Sequence, residues 1–238
     1  MDLPHAIPST AITGTPKLIL FDLDGTLVDG QHSVTATFEA VFPKFGYPAP
    51  SKALVRSIIG RSLPQAIADM LGPDAPAAEI TEAYKEHFHA MRAITGYTET
   101  LYDDVDAVVR RLAARQDLVL GTATGKALRG IQWMIDAQNW HGFFKTLQAA
   151  DTAASKPSPE MVFNACRETG ISPRDTLVFG DSIFDMQMAV SAGATAVGVS
   201  WGYGEPETLV KAGAVRIIDH FADVERAIAD FQNGRPNA

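Results

Sequence analysis

Residues 20–29 read Leu-Phe-Asp-Leu-Asp-Gly-Thr-Leu-Val-Asp, an apolar run that ends in two carboxylates and a glycine turn. Residues i and i+2 of an extended chain point to the same side, so Asp22 and Asp24 are predicted to project together beyond a strand. Two neighbouring carboxylates repel each other unless a cation or a shared proton relieves the repulsion. The alternative is an ordinary strand end whose acids cap a turn, and this segment alone leaves the two interpretations nearly balanced.

The chain downstream predicts an α/β fold with a Rossmann-like parallel sheet and helices on both of its faces. Strands are proposed at 17–22, 118–123, 146–149, 176–180, 195–199 and 215–218, and helices near 103–115, 126–138, 158–170, 184–192, 205–212 and 220–231. Repeated alternation of helix and strand is typical of right-handed crossovers. Asp22, Thr124 and Asp181 each end a proposed strand, and ligands of such sheets bind beyond the carboxyl ends of the strands. We therefore expect these three side chains to converge.

The segment from about residue 31 to residue 95 has a different character. Its periodicity predicts helices near 33–45, 51–58, 63–71 and 76–94, separated by prolines and glycines, and no convincing strand. We interpret it as an all-helical cap domain inserted after the first strand. The predicted organisation is therefore a tail at 1–16, a core domain at 17–30 and 97–238, and a cap domain at 31–96.

Composition restricts the class of protein. The chain has 238 residues, 46% of them apolar, a formal net charge of −8 and a pI of about 5.2. This balance is typical of a soluble globular protein, and an acidic surface disfavours a nucleic-acid partner. The sequence lacks both an 18-residue apolar run and the basic-then-apolar pattern of a secretory signal, which predicts no membrane span and a cytoplasmic location.

Thr124-Gly125-Lys126 closes one proposed strand and opens a helix. A hydroxyl and backbone N–H groups at a helix N-terminus form a cradle for an anion such as phosphate. The segment is not a P-loop, because Gly121 and Gly125 are one residue too close and Ala127 replaces the required Ser or Thr. A purely structural strand-to-helix turn is an equally good interpretation of this piece alone.

Two later segments offer further charged groups. Lys156, fixed before Pro157, can neutralise charge on a transferring phosphoryl group, although most lysines are solvated surface residues. Asp181 ends a strand and is a candidate metal ligand, and Asp185 lies one helical turn further on the same face, where it can orient the site. The alternative for this piece is helix capping by Asp181 or Ser182.

Taken in order, these segments match the four motifs of a known superfamily: Asp22-Leu23-Asp24-Gly25-Thr26, then Thr124, then Lys156, then Gly180-Asp181-Ser182 with Asp185. The sequence resembles the haloacid dehalogenase (HAD) superfamily, and in particular its phosphoglycolate-phosphatase-like subgroup with a C1 helical cap. The resemblance implies a Mg²⁺-dependent hydrolase of phosphomonoesters. It implies Asp22 as nucleophile, Asp24 as general acid and base, and a metal held by Asp22, Asp181 and the backbone carbonyl of Asp24.

Departures from the family pattern refine this expectation. Haloacid dehalogenases themselves lack the second aspartate, so Asp24 disfavours carbon–halogen cleavage. Gly30 stands where the family often has Ser, which predicts a looser cap hinge. In the cap, Arg61 beside Gly60 is predicted to bind an anionic substrate tail, whereas Arg56 is expected to face solvent. Gly125 and Lys126 are predicted to bind substrate as part of the anion cradle.

The sequence thus predicts a phosphatase that acts through an aspartyl-phosphate on a small phosphorylated metabolite, with phosphoglycolate as the first substrate and a monomer or homodimer as the assembly. Two alternatives stay open within enzymes, namely a phosphomutase and a pyrophosphatase on the same core. A catalytically silent binding protein is a third alternative, against which the intact Asp22, Asp24, Lys156 and Asp181 argue.

Overall fold

The computed structural model describes residues 15–95 and 99–235, so nearly all of the predicted tail lies outside the described residues. Its centre is a six-stranded sheet with the order β5-β4-β1-β6-β7-β8, in which all neighbours are parallel. A second, two-stranded sheet pairs β2 with β3. The strands are β1 Lys17–Phe21, β2 Val28–Asp29, β3 Thr100–Leu101, β4 Leu118–Ala123, β5 Phe144–Gln148, β6 Thr176–Gly180, β7 Thr195–Val199 and β8 Arg216–Ile218.

Ten α-helices lie within the described residues. Four follow β2 in sequence and six alternate with the later strands of the large sheet. They are α1 Gln31–Val41, α2 Lys52–Ile58, α3 Leu63–Leu71, α4 Ala77–Thr95, α5 Val105–Ala113, α6 Leu128–Gln138, α7 Glu160–Thr169, α8 Ile183–Ala192, α9 Pro206–Lys211 and α10 Val224–Gln232. Among these residues no helix has the length and apolar character needed to cross a membrane.

The large sheet is buried on both faces. Along β1, Ile19 and Phe21 pack into one apolar cluster while Leu18 and Leu20 pack into another, as the two-residue period of a strand requires. Phe21 stacks on Phe179 of the neighbouring strand with ring centroids 5.3 Å apart. This arrangement confirms the predicted parallel α/β core and fixes the carboxyl ends of β1, β4 and β6 side by side.

The four helices α1–α4 form a separate apolar cluster, which confirms the predicted helical insertion. Its fully buried side chains come from all four helices and the turn after α1: Phe38, Val41, Phe42, Val55, Ile67 and Ile80. Tyr203 from the loop after β7 also contacts this cluster, so core and cap pack against each other. The residue limits of the two domains stay a prediction.

The sequence-based description differs from the structure in the connections between core and cap. The proposed strands include none between residues 22 and 118, but β3 at Thr100–Leu101 pairs antiparallel with β2 at Val28–Asp29. Strands of two residues show no periodicity, so no sequence pattern announces them. The pair joins the two chain segments that lead into and out of the cap.

Candidate active site

The side chains predicted to converge do so at one edge of the large sheet. Asp22 follows β1, Thr124 follows β4, and Asp181 follows β6, and all three are at most 1% exposed. Lys156, fully buried in the loop after β5, places its Nζ 3.0 Å from Asp22 Oδ1. Carboxylate oxygens of Asp22, Asp181 and Asp185 lie within 4.8 Å of one another.

Asp22 has one bonded oxygen and one free oxygen. Oδ1 accepts a hydrogen bond from the Leu23 amide at 2.7 Å and faces Lys156. Oδ2 is buried and has no hydrogen-bond partner among the described residues. Burial raises the pKa of Asp22 to about 7, with Lys156 acting in the opposite direction and the charge of Asp185 adding to the rise. A buried carboxylate oxygen without a partner is an expensive arrangement that a bound cation relieves.

Asp181 is enclosed by backbone. Its carboxylate accepts hydrogen bonds from the Tyr203 amide at 2.8 Å and from the Thr26 hydroxyl at 3.4 Å. A Cβ on Gly25 would lie 2.2 Å from Asp181 Oδ2, and one on Gly202 would lie 2.2 Å from Asp181 Cβ. Burial, and then the charges of nearby carboxylates, raise the pKa of Asp181 well above its ordinary value. The glycines therefore let the chain close around this acid.

Asp185 is held by its own helix and by Lys156. Both the amide and the hydroxyl of Ser182 donate to Asp185 Oδ2, at 3.0 and 2.6 Å, in a capping box at the start of α8. The other oxygen, Oδ1, pairs with Lys156 Nζ. Since both oxygens are occupied, Asp185 is placed to hold Lys156. Its expected role, to orient the site and not to bind the metal directly, stays a prediction.

These residues fit a magnesium ion. Mg²⁺ prefers carboxylate and water oxygens, and the cluster offers three carboxylates of which Asp22 keeps a free buried oxygen. Burial first, and then the repulsion among these acids, raises the pKa of Asp22 and of Asp181, and a divalent cation would oppose the rise. Asp22 and Asp181 are the proposed ligands. The third proposed ligand, the backbone carbonyl of Asp24, stays a prediction.

The carboxylate of Asp24 contacts different groups from that of Asp22. Asp24 Oδ2 lies 3.1 Å from Lys126 Nζ, which in turn lies 2.7 Å from an oxygen of Glu99. Burial raises the pKa of Asp24, while Lys126 opposes the rise. A Cβ on Gly30 would lie 2.3 Å from Asp24 Oδ1. Glycine at position 30 therefore leaves room for the Asp24 side chain. This steric reason for glycine, where the family often has Ser, was not visible in the sequence.

The predicted anion cradle forms a tight turn rather than a helix start. Thr124 Oγ1 accepts a hydrogen bond from the Lys126 amide at 3.2 Å. The helix itself begins only at Leu128, whose amide donates to Asp151 Oδ1 at 2.9 Å. A Cβ on Gly125 would lie 2.4 Å from the carbonyl oxygen of Arg61. Gly125 thus allows the cap to approach this turn, and phosphate contact by Thr124, Gly125 or Lys126 stays a prediction.

The cap is docked on the core through two arginines. Arg61 pairs with Asp69, donates to the carbonyl oxygen of Lys156 at 3.0 Å, and lies over the Phe184 ring. Arg56 Nε and Nη2 donate to the carbonyl oxygens of Tyr203 at 2.7 Å and Gly202 at 3.1 Å. Arg56 is exposed, as expected, but its guanidinium also holds the cap to the core. Arg61 lies at the interface as predicted, but its contact with substrate stays a prediction.

Tyr203 is a residue that sequence reasoning missed. Its hydroxyl oxygen accepts hydrogen bonds from the amides of Gly30 at 3.0 Å and Gln31 at 3.1 Å, and it lies 3.1 Å from Asp29 Oδ1. Because the Tyr203 amide also donates a hydrogen bond to Asp181, Tyr203 links the cluster of aspartates to the point where the cap begins. The only signal was the Gly-Tyr-Gly segment at 202–204, whose glycines pack against Asp181.

Comparison with known proteins places this site in context. Residues 19–199 match the family model described as haloacid dehalogenase-like hydrolase. Phosphoglycolate phosphatase 1 of Pseudomonas aeruginosa is 28% identical over 217 residues, which cover 89% of this chain and 79% of that protein. N-acetylmuramic acid 6-phosphate phosphatase of the same organism is 27% identical over a match that covers 90% of this chain and 97% of that protein. A crystal structure described as a predicted phosphoglycolate phosphatase from Haemophilus somnus is 26% identical with a TM-score of 0.74, covering 90% and 98%.

Proposed function

Because the chain belongs to the haloacid dehalogenase-like hydrolases, we propose that it is a Mg²⁺-dependent phosphatase that hydrolyses a small phosphomonoester through an aspartyl-phosphate at Asp22. The observation that carries the proposal is the state of Asp22. It is buried, ion-paired with Lys156 at 3.0 Å, close to Asp181, and provided with one free oxygen. A carboxylate in this setting is placed for nucleophilic attack and for metal binding.

In the first step, a carboxylate oxygen of Asp22 attacks phosphorus and the bond from phosphorus to the ester oxygen breaks. Asp24, in its protonated form, gives its proton to the departing oxygen, which leaves as an alcohol. Burial raises the pKa of Asp24, which favours the protonated form that this role requires. Lys156 faces Asp22 and offsets the negative charge of the transferring group.

In the second step, water attacks the phosphorus of the aspartyl-phosphate. Asp24, now ionised, takes a proton from that water, and inorganic phosphate leaves as the carboxylate of Asp22 is restored. A bound Mg²⁺ would supply positive charge that draws the nucleophile and the substrate phosphate together. The cap, docked through Arg56 and Arg61, would limit bulk water at the site during the first step.

Phosphoglycolate is the first substrate proposed. The support is the name of a relative that covers most of this chain, together with a site that is enclosed by the cap and therefore suited to a small ester. A second relative of similar identity is named for a sugar-acid phosphate, so the two names together favour small esters with an acidic group.

A panel of phosphate esters, assayed for phosphate release with Mg²⁺, tests the proposal. We expect turnover of several small esters, complete loss with excess EDTA, and recovery when Mg²⁺ is restored. Full activity in metal-free buffer would contradict the mechanism. Return of the phosphoryl group to a sugar without phosphate release would indicate a phosphomutase, and absence of turnover on every ester would indicate a binding protein.

A further inference from the structure

Glu99 is a buried carboxylate that the proposed chemistry does not use. The residue is 6% exposed and lies just before β3. Its Oε1 accepts a hydrogen bond from Lys126 Nζ at 2.7 Å, and its Oε2 lies 3.7 Å from Arg92 on α4. Burial alone would raise the pKa of Glu99, but Lys126 and Arg92 outweigh burial and hold that pKa below its ordinary value. Glu99 is therefore an anion that the fold keeps beside two cations.

In the proposed mechanism, Lys126 lies near the alcohol part of the ester. Its Nζ is 3.1 Å from Asp24 Oδ2, and Asp24 must approach the departing oxygen in order to protonate it. The tail of the substrate, which is attached to that oxygen, then extends near Lys126. An ammonium group at this place would attract a carboxylate or second phosphate on the tail.

The charge of Lys126 is not available in full, because two carboxylates share it. The Asp24 and Glu99 oxygens lie 3.1 and 2.7 Å from the same Nζ. The neighbouring cation, Arg92, is also engaged, with its guanidinium over the Trp133 ring at 4.9 Å and beside Glu99. Charges at such separations interact strongly where water is largely excluded. Removal of the Glu99 charge alone would leave this side of the pocket one unit more positive.

We propose that Glu99 is a specificity-determining residue, which offsets the charge of Lys126 and so weakens the preference of the pocket for substrates with an anionic tail. The inference rests on the proposed phosphatase function, since it concerns the ester's alcohol part. Glu99 touches neither Asp22 nor Asp181 in the described contacts, so it acts on substrate through Lys126.

The test compares two esters of similar size, 2-phosphoglycolate, whose tail ends in a carboxylate, and 2-hydroxyethyl phosphate, whose tail ends in a hydroxyl. The measured quantity is the ratio of their kcat/KM values. Glu99→Gln keeps the shape of the side chain and removes its charge. We expect this variant to raise the ratio in favour of 2-phosphoglycolate about 10-fold, chiefly through a lower KM for that ester.

Two further variants test whether the change in the kcat/KM ratio comes from Glu99 acting through Lys126. Glu99→Gln combined with Lys126→Gln removes both partners, and the ratio should return to within about threefold of wild type because the coupling is lost. Glu82→Gln removes an exposed acid on α4 that pairs with Lys85, and it should leave the ratio unchanged. If Glu99→Gln cannot be purified, Glu99→Asp, whose carboxylate is drawn back by one methylene, should shift the ratio in the same direction.

Three results would overturn the inference: an unchanged ratio in a soluble Glu99 variant, an equal loss of activity on both esters, or a raised ratio that persists in the double variant. None of these touches the proposed function, because the wild-type enzyme would still release phosphate from either ester. If wild type releases phosphate from no ester, the proposed function fails and the inference falls with it.

Discussion

Asp22 and Asp24 are two residues apart, but the fold gives them different partners. Asp22 faces Lys156 and the acidic cluster, whereas the carboxylate of Asp24 faces Lys126. Each of these lysines also pairs with a second carboxylate: Lys156 with Asp185, and Lys126 with Glu99. This division of partners supports the proposed roles, in which Asp22 is the nucleophile and Asp24 carries a proton.

Substitution of Asp22 should abolish turnover. Asp22→Asn keeps the size of the side chain but removes the attacking carboxylate, so we expect no phosphate release above background with any ester. The thermal midpoint serves as control, because loss of one repelling acid from a buried cluster should not destabilise the metal-free protein. Residual activity near that of wild type would show that another group attacks phosphorus.

Substitution of Asp24 should affect esters unequally. General acid–base groups typically contribute about 10²–10⁴-fold to rate, so Asp24→Asn should lower kcat by a factor in that range for an alkyl phosphate. The loss of the first step should be smaller for p-nitrophenyl phosphate, whose leaving group needs little protonation. Pre-steady-state release of p-nitrophenol measures that step directly, and equal losses on both classes of ester would rule out Asp24 as the general acid.

Among the elements, the cap helix α2 is joined to the core mainly by Arg56. Its guanidinium reaches the carbonyl oxygens of Tyr203 and Gly202, two residues of the loop that also encloses Asp181. The same loop therefore contacts both the cap and the cluster of aspartates.

Loss of the Arg56 contact should weaken docking for every substrate. Hydrogen bonds from a charged donor contribute roughly 1.5–3 kcal/mol, so Arg56→Ala should lower kcat/KM about 10-fold whatever the tail of the ester carries. Lys52→Ala, at an exposed position of the same helix, is the matched control and should behave as wild type. A loss confined to anionic-tailed esters would mean that Arg56 contacts substrate instead.

At the scale of the whole molecule, the candidate site lies at the strand ends, and strand ends can be predicted from the sequence. Asp22, Thr124 and Asp181 were found because each follows an apolar strand, and parallel strands place their carboxyl ends together. Glu99 and Tyr203 were not predicted as site residues, because their partners lie far away in the chain. A single polar residue in a connector also carries no periodic signal. The contacts of Arg56 with the core were not foreseen for the same reason, since only the docked cap reveals them.

The acidic cluster also predicts how pH and metal act on the stability of the whole protein. The pKa of Asp22 is raised from its ordinary value of 3.8 to about 7, so the folded state binds protons more tightly than the unfolded chain between these values. The contribution of Asp22 to the free energy of unfolding is therefore full below pH 3.8 and is lost as the pH rises through about 7. We expect Mg²⁺ to bind the ionised cluster and so to restore the stability that ionisation of Asp22 removes.

Thermal unfolding with and without Mg²⁺ checks this linkage. The increase in Tm caused by Mg²⁺ should be larger at about pH 8 than at about pH 5, because protons compete with the metal at the lower pH. Asp181→Asn should remove most of the increase at both values. An increase that is larger at the lower pH, or that survives in Asp181→Asn, would place the metal elsewhere.

The central claim, that phosphate passes through Asp22, can be tested by trapping the intermediate. Enzyme mixed with p-nitrophenyl phosphate and Mg²⁺ is quenched and treated with borohydride, which reduces an aspartyl-phosphate to homoserine. Mass spectrometry of the peptides then locates the change. We expect homoserine at position 22, in greater yield in Asp24→Asn because that variant slows hydrolysis of the intermediate, and none in Asp22→Asn. Modification of another residue, or phosphate release by wild type with no modification at Asp22, would contradict it.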